Sequence, residues 1–292
     1  MKYMGSKARI VNDILPIMLD NEHDTFVDCF MGSGAVIGNV SKKYRRIAND
    51  KNKYLVAMFK SLTEGKEFPE HIPRELYNDV RDCWHGKNDR YQDDMVGWVG
   101  FMASFNGRFF DGGYSGHNVV GSNGKSRDYI KEQISNTRSE LDKLIGVEFH
   151  EGDYQDLEIP DKSIIYCDIQ YRDTKQYDVS RNFDYERFYS WCKEKSKEGH
   201  KVFISEYRMP DDFTCVWQKQ VTNSLNPTRT KRPTEKLFTI MEKKETYYIG
   251  DEHGTHYFTM ENGNVVGTEV TQRQLQEFMA CADKLGFKVG KL

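Results

Sequence analysis

The strongest constraint on the fold is an alternation of short apolar strands and helices over the first 65 residues. "TFVDCF" (25–30) is a short apolar run typical of a strand, "MGSGAV" follows as a glycine turn, and "AVIGNVSKKY" is helical in pattern. "RRIAND" (45–50) is a second short strand that ends in an acid, and "KYLVAMFKSLTEG" is a helix that ends at Gly65. A β-α-β-α unit indicates a parallel sheet with helices on its faces. The sequence therefore predicts an α/β fold.

The rest of the chain extends this alternation after one interruption. Residues 66–126 are rich in charge, glycine and aromatic residues and show no clear strand, although "DDMVGWVGFMASF" is helical in pattern. An amphipathic helix is predicted over 127–145, and strands follow in "VEFHEGDY", "SIIYCDIQY" and "KVFISEY". "FTCVWQKQVT" and "KLFTIME" indicate a last antiparallel pair. We predict a mixed, mainly parallel sheet from residues 1–65 and 127–242, with 66–126 as an insertion.

Residues 243–292 are expected to form a small α+β appendix whose role the sequence does not indicate. Three short alternating runs, "ETYYIG", "THYFTM" and "NVVGTEV", are separated by turn residues and predict strands. A helix is predicted after them, with Thr271 as its N-cap and Gly286 at its end.

Composition places the chain among cytoplasmic globular proteins. A length of 292 residues with 38% hydrophobic content is enough for one large domain with a smaller insert or appendix. We expect no membrane span, because no run of about 18 apolar residues exists, and no signal peptide. The six scattered cysteines form no C-x-x-C pair, which favours reduced thiols and no metal site.

The net charge of −3 does not by itself indicate a nucleic-acid partner, but two local runs are basic. Residues 41–53 carry six basic residues against one acid, and residues 219–236 carry five against one. Such runs are most often solvated surface. Two of them in a mildly acidic protein also fit a phosphate-binding face.

The glycine turn after the first strand and the acid after the second indicate an adenosine-containing ligand. Glycines in "DCFMGSGAV" (28–36) allow a ligand to approach the backbone, and Asp50, 18 residues after Gly32, is placed to accept from ribose hydroxyls. NAD and S-adenosylmethionine both fit. The spacing departs from G-x-G-x-x-G, and Asp28 would repel a pyrophosphate but attract a cationic sulfonium ligand. A plain strand–helix turn is the structural alternative.

A second candidate site lies at the end of "IIYCD", where Asp168 is followed by Tyr171. Ligands of open α/β sheets bind at the carboxyl ends of the strands. The structural alternative is a helix-capping Asp with a packing Tyr.

Five short motifs follow one another along the chain: "KYMGSK" (2–7), "DCFMGSG" (28–34), "IAND" (47–50), "EGDY" (151–154) and "DIQY" (168–171). On these motifs the chain resembles the Dam-like, D12 class of DNA adenine-N6 methyltransferases, in its phage-type form, over roughly residues 1–240. The resemblance implies a Rossmann-like S-adenosylmethionine-dependent methyltransferase fold, with 66–126 as a target-recognition segment. It also implies action in the cytoplasm of a bacterial or phage-infected cell.

The resemblance implies that S-adenosylmethionine is the cofactor. In that family pattern Tyr3 and Lys7 line its methionine end, Asp28 favours its positive charges, Asp50 binds the ribose and Asp153 the adenine amine. The implied cofactor-binding residues are Tyr3, Lys7, Asp28, Phe30, Gly32, Ser33, Gly34, Asp50, Asp153, Tyr154 and Asp168.

The same resemblance implies the catalytic residues. The target adenine leaves the duplex, Tyr171 stacks on it, and Asp168 and the carbonyl of residue 169 accept hydrogen bonds from its N6 amine. The family has Asp-Pro-Pro-Tyr here, whereas this chain has Ile169 and Gln170 in place of both prolines. Ile169 still supplies the carbonyl, so what is lost is stiffness, worth about 0.4–1 kcal/mol in chain entropy.

DNA contacts are expected from the insertion and from the basic loop before the last strand. Arg108 could bind guanine and Asn106 adenine in the major groove, and the aromatic residues Phe109, Phe110 and Tyr114 could wedge or stack where the base leaves. A structural glycine loop with core aromatics is the alternative. Arg229, Lys231 and Arg232 are candidate phosphate contacts on double-stranded DNA.

We therefore predict a site-specific enzyme that transfers a methyl group from S-adenosylmethionine to adenine N6 in DNA by base flipping. The chief alternative is a methyltransferase-like protein that binds cofactor or DNA with weak or no catalysis, because of the altered "DIQY". A dehydrogenase that binds NAD is the other alternative, and the missing G-x-G-x-x-G argues against it.

Overall fold

A computed structural model describes residues 1–120, 124–169, 171, 183–221, 234–240, 245–251, 254–261, 264–266 and 288–291. The chain divides into two compact units, Met1–Thr239 and Ile240–Leu292. No helix among the described residues is both long and apolar enough to cross a membrane.

The first unit contains eight described helices and nine described strands. The helices are α1 (Val11–Met18), α2 (Ala35–Asn39), α3 (Lys53–Thr63), α4 (Arg74–Trp84), α5 (Asp93–Met102), α6 (Tyr129–Arg138), α7 (Leu141–Leu144) and α8 (Tyr185–Lys197), with short 3₁₀ helices at Lys7–Arg9 and Phe105–Gly107. The strands are β1 (Thr25–Asp28), β2 (Arg45–Asp50), β3 (Val119–Val120), β4 (Ser126–Arg127), β5 (Val147–Glu151), β6 (Ser163–Asp168), β7 (Lys201–Ser205), β8 (Thr214–Gln220) and β9 (Thr234–Thr239).

Seven of these strands form one sheet in the order β5-β2-β1-β6-β7-β9-β8. The first five are parallel to one another, and β9 runs antiparallel between β7 and β8. The chain moves outward from β1 to β2 and β5, then returns to place β6 on the other side of β1. A ligand crevice is expected at this switch point, outside the carboxyl ends of β1 and β6. The predicted mixed, mainly parallel α/β sheet is confirmed.

The central strands are covered on both faces, which explains why they are continuous apolar runs. All four residues of β1 are buried, and in β6 every residue except the terminal Asp168 is buried. Parallel strands with helices on both sides have no solvent-facing side, so apolar residues do not alternate with polar ones. The polar residue that ends each run therefore marks the sheet edge.

Two local elements differ from the predictions. The helix predicted over 127–145 is divided into α6 and α7. Hydroxyl groups near the break bond to helix carbonyls, Thr137 Oγ1 to Gln133 O at 2.8 Å and Ser139 Oγ to Asn136 O at 3.1 Å, and such bonds compete with the helix. The second difference is α4, which begins after Pro73 inside the segment where only α5 was predicted.

The second unit has a four-stranded antiparallel sheet, in the order β12-β11-β10-β13. Its strands are β10 (Glu245–Asp251), β11 (Gly254–Glu261), β12 (Asn264–Val266) and β13 (Lys288–Lys291). The first three fall on the predicted strands, whereas β13 was not predicted. The helix predicted between Thr271 and Gly286 lies outside the described residues.

Candidate active site

Three carboxylates lie together at one edge of the large sheet because each of them ends a parallel strand. Asp28 ends β1, Asp50 ends β2 and Asp168 ends β6. Their strands are adjacent, with Asp28 paired in register with Ala48 and Tyr166. The sequence analysis selected all three residues, and the fold brings them to the switch point.

Asp28 is a buried carboxylate that lacks a full set of partners. Its side chain is 1% exposed, and Oδ1 has no hydrogen-bond partner among the described residues. Burial raises the pKa of Asp28 well above its usual value, and the nearby charge of Asp168 raises it further. A buried acceptor without a donor is costly. A cationic or hydrogen-donating ligand beside Asp28 would therefore be stabilised.

Asp50 is fixed by the backbone of two turns. Its Oδ2 accepts from Gly32 N at 3.0 Å and its Oδ1 from Asn52 N at 2.9 Å. Burial raises the pKa of Asp50, and these two donors act against that rise. Each carboxylate oxygen retains a second lone pair, so both can still accept from a diol.

The N-terminal segment packs against the glycine turn. Gly32 has φ +45°, and a Cβ there would lie 3.0 Å from Tyr3 Cε1, so glycine is needed both for the backbone and for the ring. The hydroxyl groups of Ser6 and Ser33 are 2.9 Å apart. The turn continues through Gly34, whose φ is +71°. Residues 3–7 and 32–34, predicted separately as cofactor contacts, thus form one wall.

Lys7 lies closer to the predicted catalytic residues than the sequence analysis expected. Its Nζ is 2.7 Å from Asp168 Oδ1, 3.1 Å from the carbonyl oxygen of Gly5 and 4.9 Å from the centre of the Tyr171 ring. Burial raises the pKa of Asp168, and the Lys7 ammonium lowers it. Lys7 thus helps to keep Asp168 ionised and available as an acceptor.

Tyr171 is held by Glu235 of β9 and by Tyr207, which follows β7. Its hydroxyl donates to Glu235 Oε2 at 2.5 Å, and its ring meets that of Tyr207 at 4.3 Å in an edge-to-face arrangement. Burial raises the pKa of Tyr171 well above its usual value, so the phenol stays protonated as a donor. Ile169 is buried, with 2% exposure, whereas Gln170 lies outside the described residues. Neither Glu235 nor Tyr207 was identified from the sequence.

An aromatic wall closes the side of the site next to β5. The rings of Phe30 and Tyr154 are 5.4 Å apart, and Tyr154 meets Trp191 at 4.9 Å. Asp153 precedes Tyr154, accepts from Gln155 N at 3.2 Å and lies 3.6 Å from Lys51 Nζ. A flat apolar ring beside a carboxylate provides the two contacts that an adenine requires, one for its face and one for its amine.

The predicted DNA-binding residues of the insertion divide into two groups. Phe109 and Phe110 pack against Trp84, and the Tyr114 hydroxyl donates to Ile72 O at 2.7 Å. These rings belong to the core, which is the structural alternative considered for them. Their packing does not support a role as a wedge.

Of the other two predicted DNA contacts in this segment, Asn106 is exposed and Arg108 is half-buried. Asn106 is exposed and has φ +56°, and Arg108 is paired with Asp111 at 2.6 Å. Phe105 is 46% exposed and is an accessible aromatic that the sequence analysis did not select. The side chains predicted to contact phosphate, Arg229, Lys231 and Arg232, lie outside the described residues.

The basic run at 41–53 is largely engaged within the protein. Arg45 pairs with Glu148, and Arg46 donates to the carbonyls of residues 143 and 145. Lys51 and Lys53 also have acidic partners. This run therefore offers little free charge to a phosphate backbone. Among the described residues no group of three or more His, Cys, Asp or Glu side chains could hold a metal ion.

Comparison with known proteins gives a family match and similarities to solved structures, of which one is described here. Residues 3–249 match the family model described as D12 class N6 adenine-specific DNA methyltransferase. SMU.472, described as a candidate methyltransferase and solved as a complex with SAH, shares 12% identity at a TM-score of 0.35. The match covers 83% of this chain and 54% of that one, so the chain spans about half of its length. No curated protein sequence matches the chain.

Proposed function

The chain belongs to the D12 class of N6 adenine-specific DNA methyltransferases, and on that premise we propose that it transfers a methyl group from S-adenosylmethionine to adenine N6 in double-stranded DNA. The observation that carries the proposal is the meeting of Asp28, Asp168 and Tyr171 at the switch point of the sheet. Asp28 Oδ1, which has no hydrogen-bond partner among the described residues, supports a cationic ligand here, and Asp168 and Tyr171 support an adenine.

The residues of the site fit the cofactor part by part. Asp28 offers a positively charged group its buried Oδ1, which has no partner within the part of the chain that the structure describes, and Asp50 has lone pairs left for the ribose hydroxyls. Phe30 and Asp153 supply the face and the amine acceptor for an adenine. When bound, S-adenosylmethionine supplies an electrophilic methyl group.

The chain's own residues then act on the target adenine by position and charge. Asp168 accepts one hydrogen of the N6 amine and the Ile169 carbonyl accepts the other, which turns the nitrogen lone pair toward the methyl group. Tyr171 holds the plane of the base after it has left the duplex. No covalent enzyme intermediate is needed, because orienting the amine toward the methyl group lowers the barrier to direct transfer.

A protein that binds the cofactor and DNA without transfer is the second candidate. The observation that favours it is local. Ile169 stands where the family has a proline. Lys7 already forms an ion pair with Asp168 and lies over the Tyr171 ring. The target amine would have to share or displace those contacts.

Transfer of a labelled methyl group to several unrelated DNAs, measured beside calorimetric binding of S-adenosylmethionine, separates the two. The proposal expects cofactor binding and N6-methyladenine in at least one DNA. Asp168→Ala is the matched inactive control, since it removes the principal acceptor. Cofactor binding with no label in any DNA would favour the non-catalytic protein, and no cofactor binding would contradict both.

A further inference from the structure

We propose that Glu235 is a positioning residue for methyl transfer, which fixes the Tyr171 ring through its hydroxyl and so supplies restraint that Ile169 does not supply as a proline would. The inference rests on the proposed function, because it assigns Tyr171 to the target base. Glu235 lies 64 residues after Tyr171 in the chain, and the two meet only through the fold.

The antiparallel direction of β9 explains how Glu235 reaches the site. In β9, Leu237 pairs with Ser205, the last residue of β7. Glu235 comes two residues earlier on a strand that runs the opposite way, so it lies beyond the carboxyl end of β7. That edge also carries Asp168 and Tyr171. The antiparallel direction of β9 thus brings Glu235, near the beginning of that strand, to the sheet edge at which the parallel strands end.

The hydrogen bond between Tyr171 and Glu235 is short and shielded from water. A distance of 2.5 Å between Tyr171 Oη and Glu235 Oε2 lies in the range of hydrogen bonds from a hydroxyl to an ionised carboxylate, which are about twice as strong as neutral ones. The Tyr171 side chain is 8% exposed, so water competes little for its hydroxyl. The hydroxyl is also the atom farthest from the backbone, so a bond there limits the tilt of the ring.

Two further contacts of Tyr171 are with its ring and not with its hydroxyl. Tyr207 meets the ring at its edge, and Lys7 lies over its face. Both residues contact the surface of the ring. Such contacts restrict rotation about the Cα–Cβ bond of Tyr171 less than a hydrogen bond to its hydroxyl does. Because Ile169 does not fix its own φ as proline would, the backbone before Tyr171 supplies less restraint.

The test is a double-mutant cycle on the rate of methyl transfer. Tyr171→Phe keeps the stacking ring and removes the hydroxyl, and Glu235→Ala removes the acceptor. We expect each to lower kcat by about tenfold or more, as the loss of a hydrogen bond to a charged group does. The double variant should be no slower than either single one. Glu235→Gln keeps an acceptor and should retain most of kcat, while KM for DNA and the Kd of the cofactor stay within about twofold in all variants.

Tyr44→Phe provides the matched control. Tyr44 is also buried, and its hydroxyl donates to the carbonyl oxygen of Asp20 at the opposite end of the sheet. Its removal should lower the melting temperature but leave kcat unchanged. The same cycle measured by urea unfolding, without DNA, reports the Tyr171–Glu235 contact independently of activity.

The outcomes distinguish the two proposals. Full kcat in folded Tyr171→Phe, or additive losses in the double variant, would overturn the role of Glu235 and leave the methyltransferase standing. A wild-type protein that methylates no DNA would overturn the proposed function, and with it the catalytic role of Glu235. If the two substitutions had additive effects on the free energy of unfolding, the contact between Tyr171 and Glu235 would not be formed.

Discussion

At the scale of single residues, the buried carboxylate of Asp28 links protein stability to cofactor binding. Its raised pKa means that the folded state favours the protonated form. That contribution to stability is present below the ordinary pKa of about 3.9 and is lost as pH rises. The asparagine of Asp28→Asn resembles the protonated carboxyl group. The free energy of unfolding of this variant should therefore exceed that of wild type by about 1–3 kcal/mol at pH 8, and by less at pH 5.

The same substitution should weaken S-adenosylmethionine binding by tenfold or more, because the attraction to its positive charges is lost. Urea unfolding at the two pH values and calorimetry with the cofactor measure both effects. Asp211→Asn, at an exposed acid, is the control and should change neither. An Asp28→Asn protein that is less stable than wild type at pH 8 would show that the carboxylate is satisfied.

Lys7 controls the charge on Asp168. Because the ammonium lowers the pKa of a carboxyl group that burial raises, Lys7→Met should raise that pKa further. The ionised acceptor would then be present only at higher pH, so the acid limb of the kcat/KM profile should move upward and activity should fall more at pH 6 than at pH 8. Loss of the partner should also cost about 3 kcal/mol of stability.

A profile of kcat/KM against pH, recorded for both proteins on one DNA, measures this shift. Lys193→Met removes an exposed ion pair with Asp212 and should leave the profile unchanged. Acid limbs that coincide for wild type and Lys7→Met would show that another group sets the pH dependence.

At the scale of elements, the substitution of Ile169 and Gln170 for two prolines after β6 has a testable effect on the rate. Gln170→Pro restores one proline and should speed single-turnover methyl transfer about two- to fivefold, by the chain entropy that it removes. The gain should be larger in a Glu235→Ala background, where the hydrogen bond to Tyr171 is absent. A slower or inactive Gln170→Pro protein would show that the loop is adapted to glutamine.

Local sequence predicts strand ends better than it predicts which residues meet. The limits of β2 match the predicted "RRIAND", although only Ile47 and Ala48 are apolar and the polar Arg46 and Asn49 are also buried. The α4 helix was missed because its buried stripe is only Tyr77 and Val80 among charged residues. Glu235 could not be found by spacing, since the register between β7 and β9 brings it to the site.

At the scale of the whole molecule, a net charge of −3 requires that any phosphate contacts be concentrated locally. Five of the six basic residues in 41–53 have polar partners within the protein, so this run supplies little of that charge. The remaining basic run, 219–236, therefore becomes the principal candidate. The sequence analysis had already drawn its candidate phosphate contacts, Arg229, Lys231 and Arg232, from this second run. It could not show that the first run is paired, because ion pairs across the fold are not visible in local composition.

This assignment predicts a measurable salt dependence. A phosphate contact contributes about 0.9 to the slope of log K against log salt on duplex DNA, so replacing Arg229, Lys231 and Arg232 together by alanine should reduce the slope by about 2–3. Affinity should fall for all DNA sequences alike, because phosphates carry no sequence information. The control replaces Arg45, Lys53 and Lys193, whose charges are already paired, and should change the slope by less than about 1. Binding measured by anisotropy between about 50 and 200 mM salt distinguishes the two sets, and equal slopes would show that phosphate binding lies elsewhere on the protein.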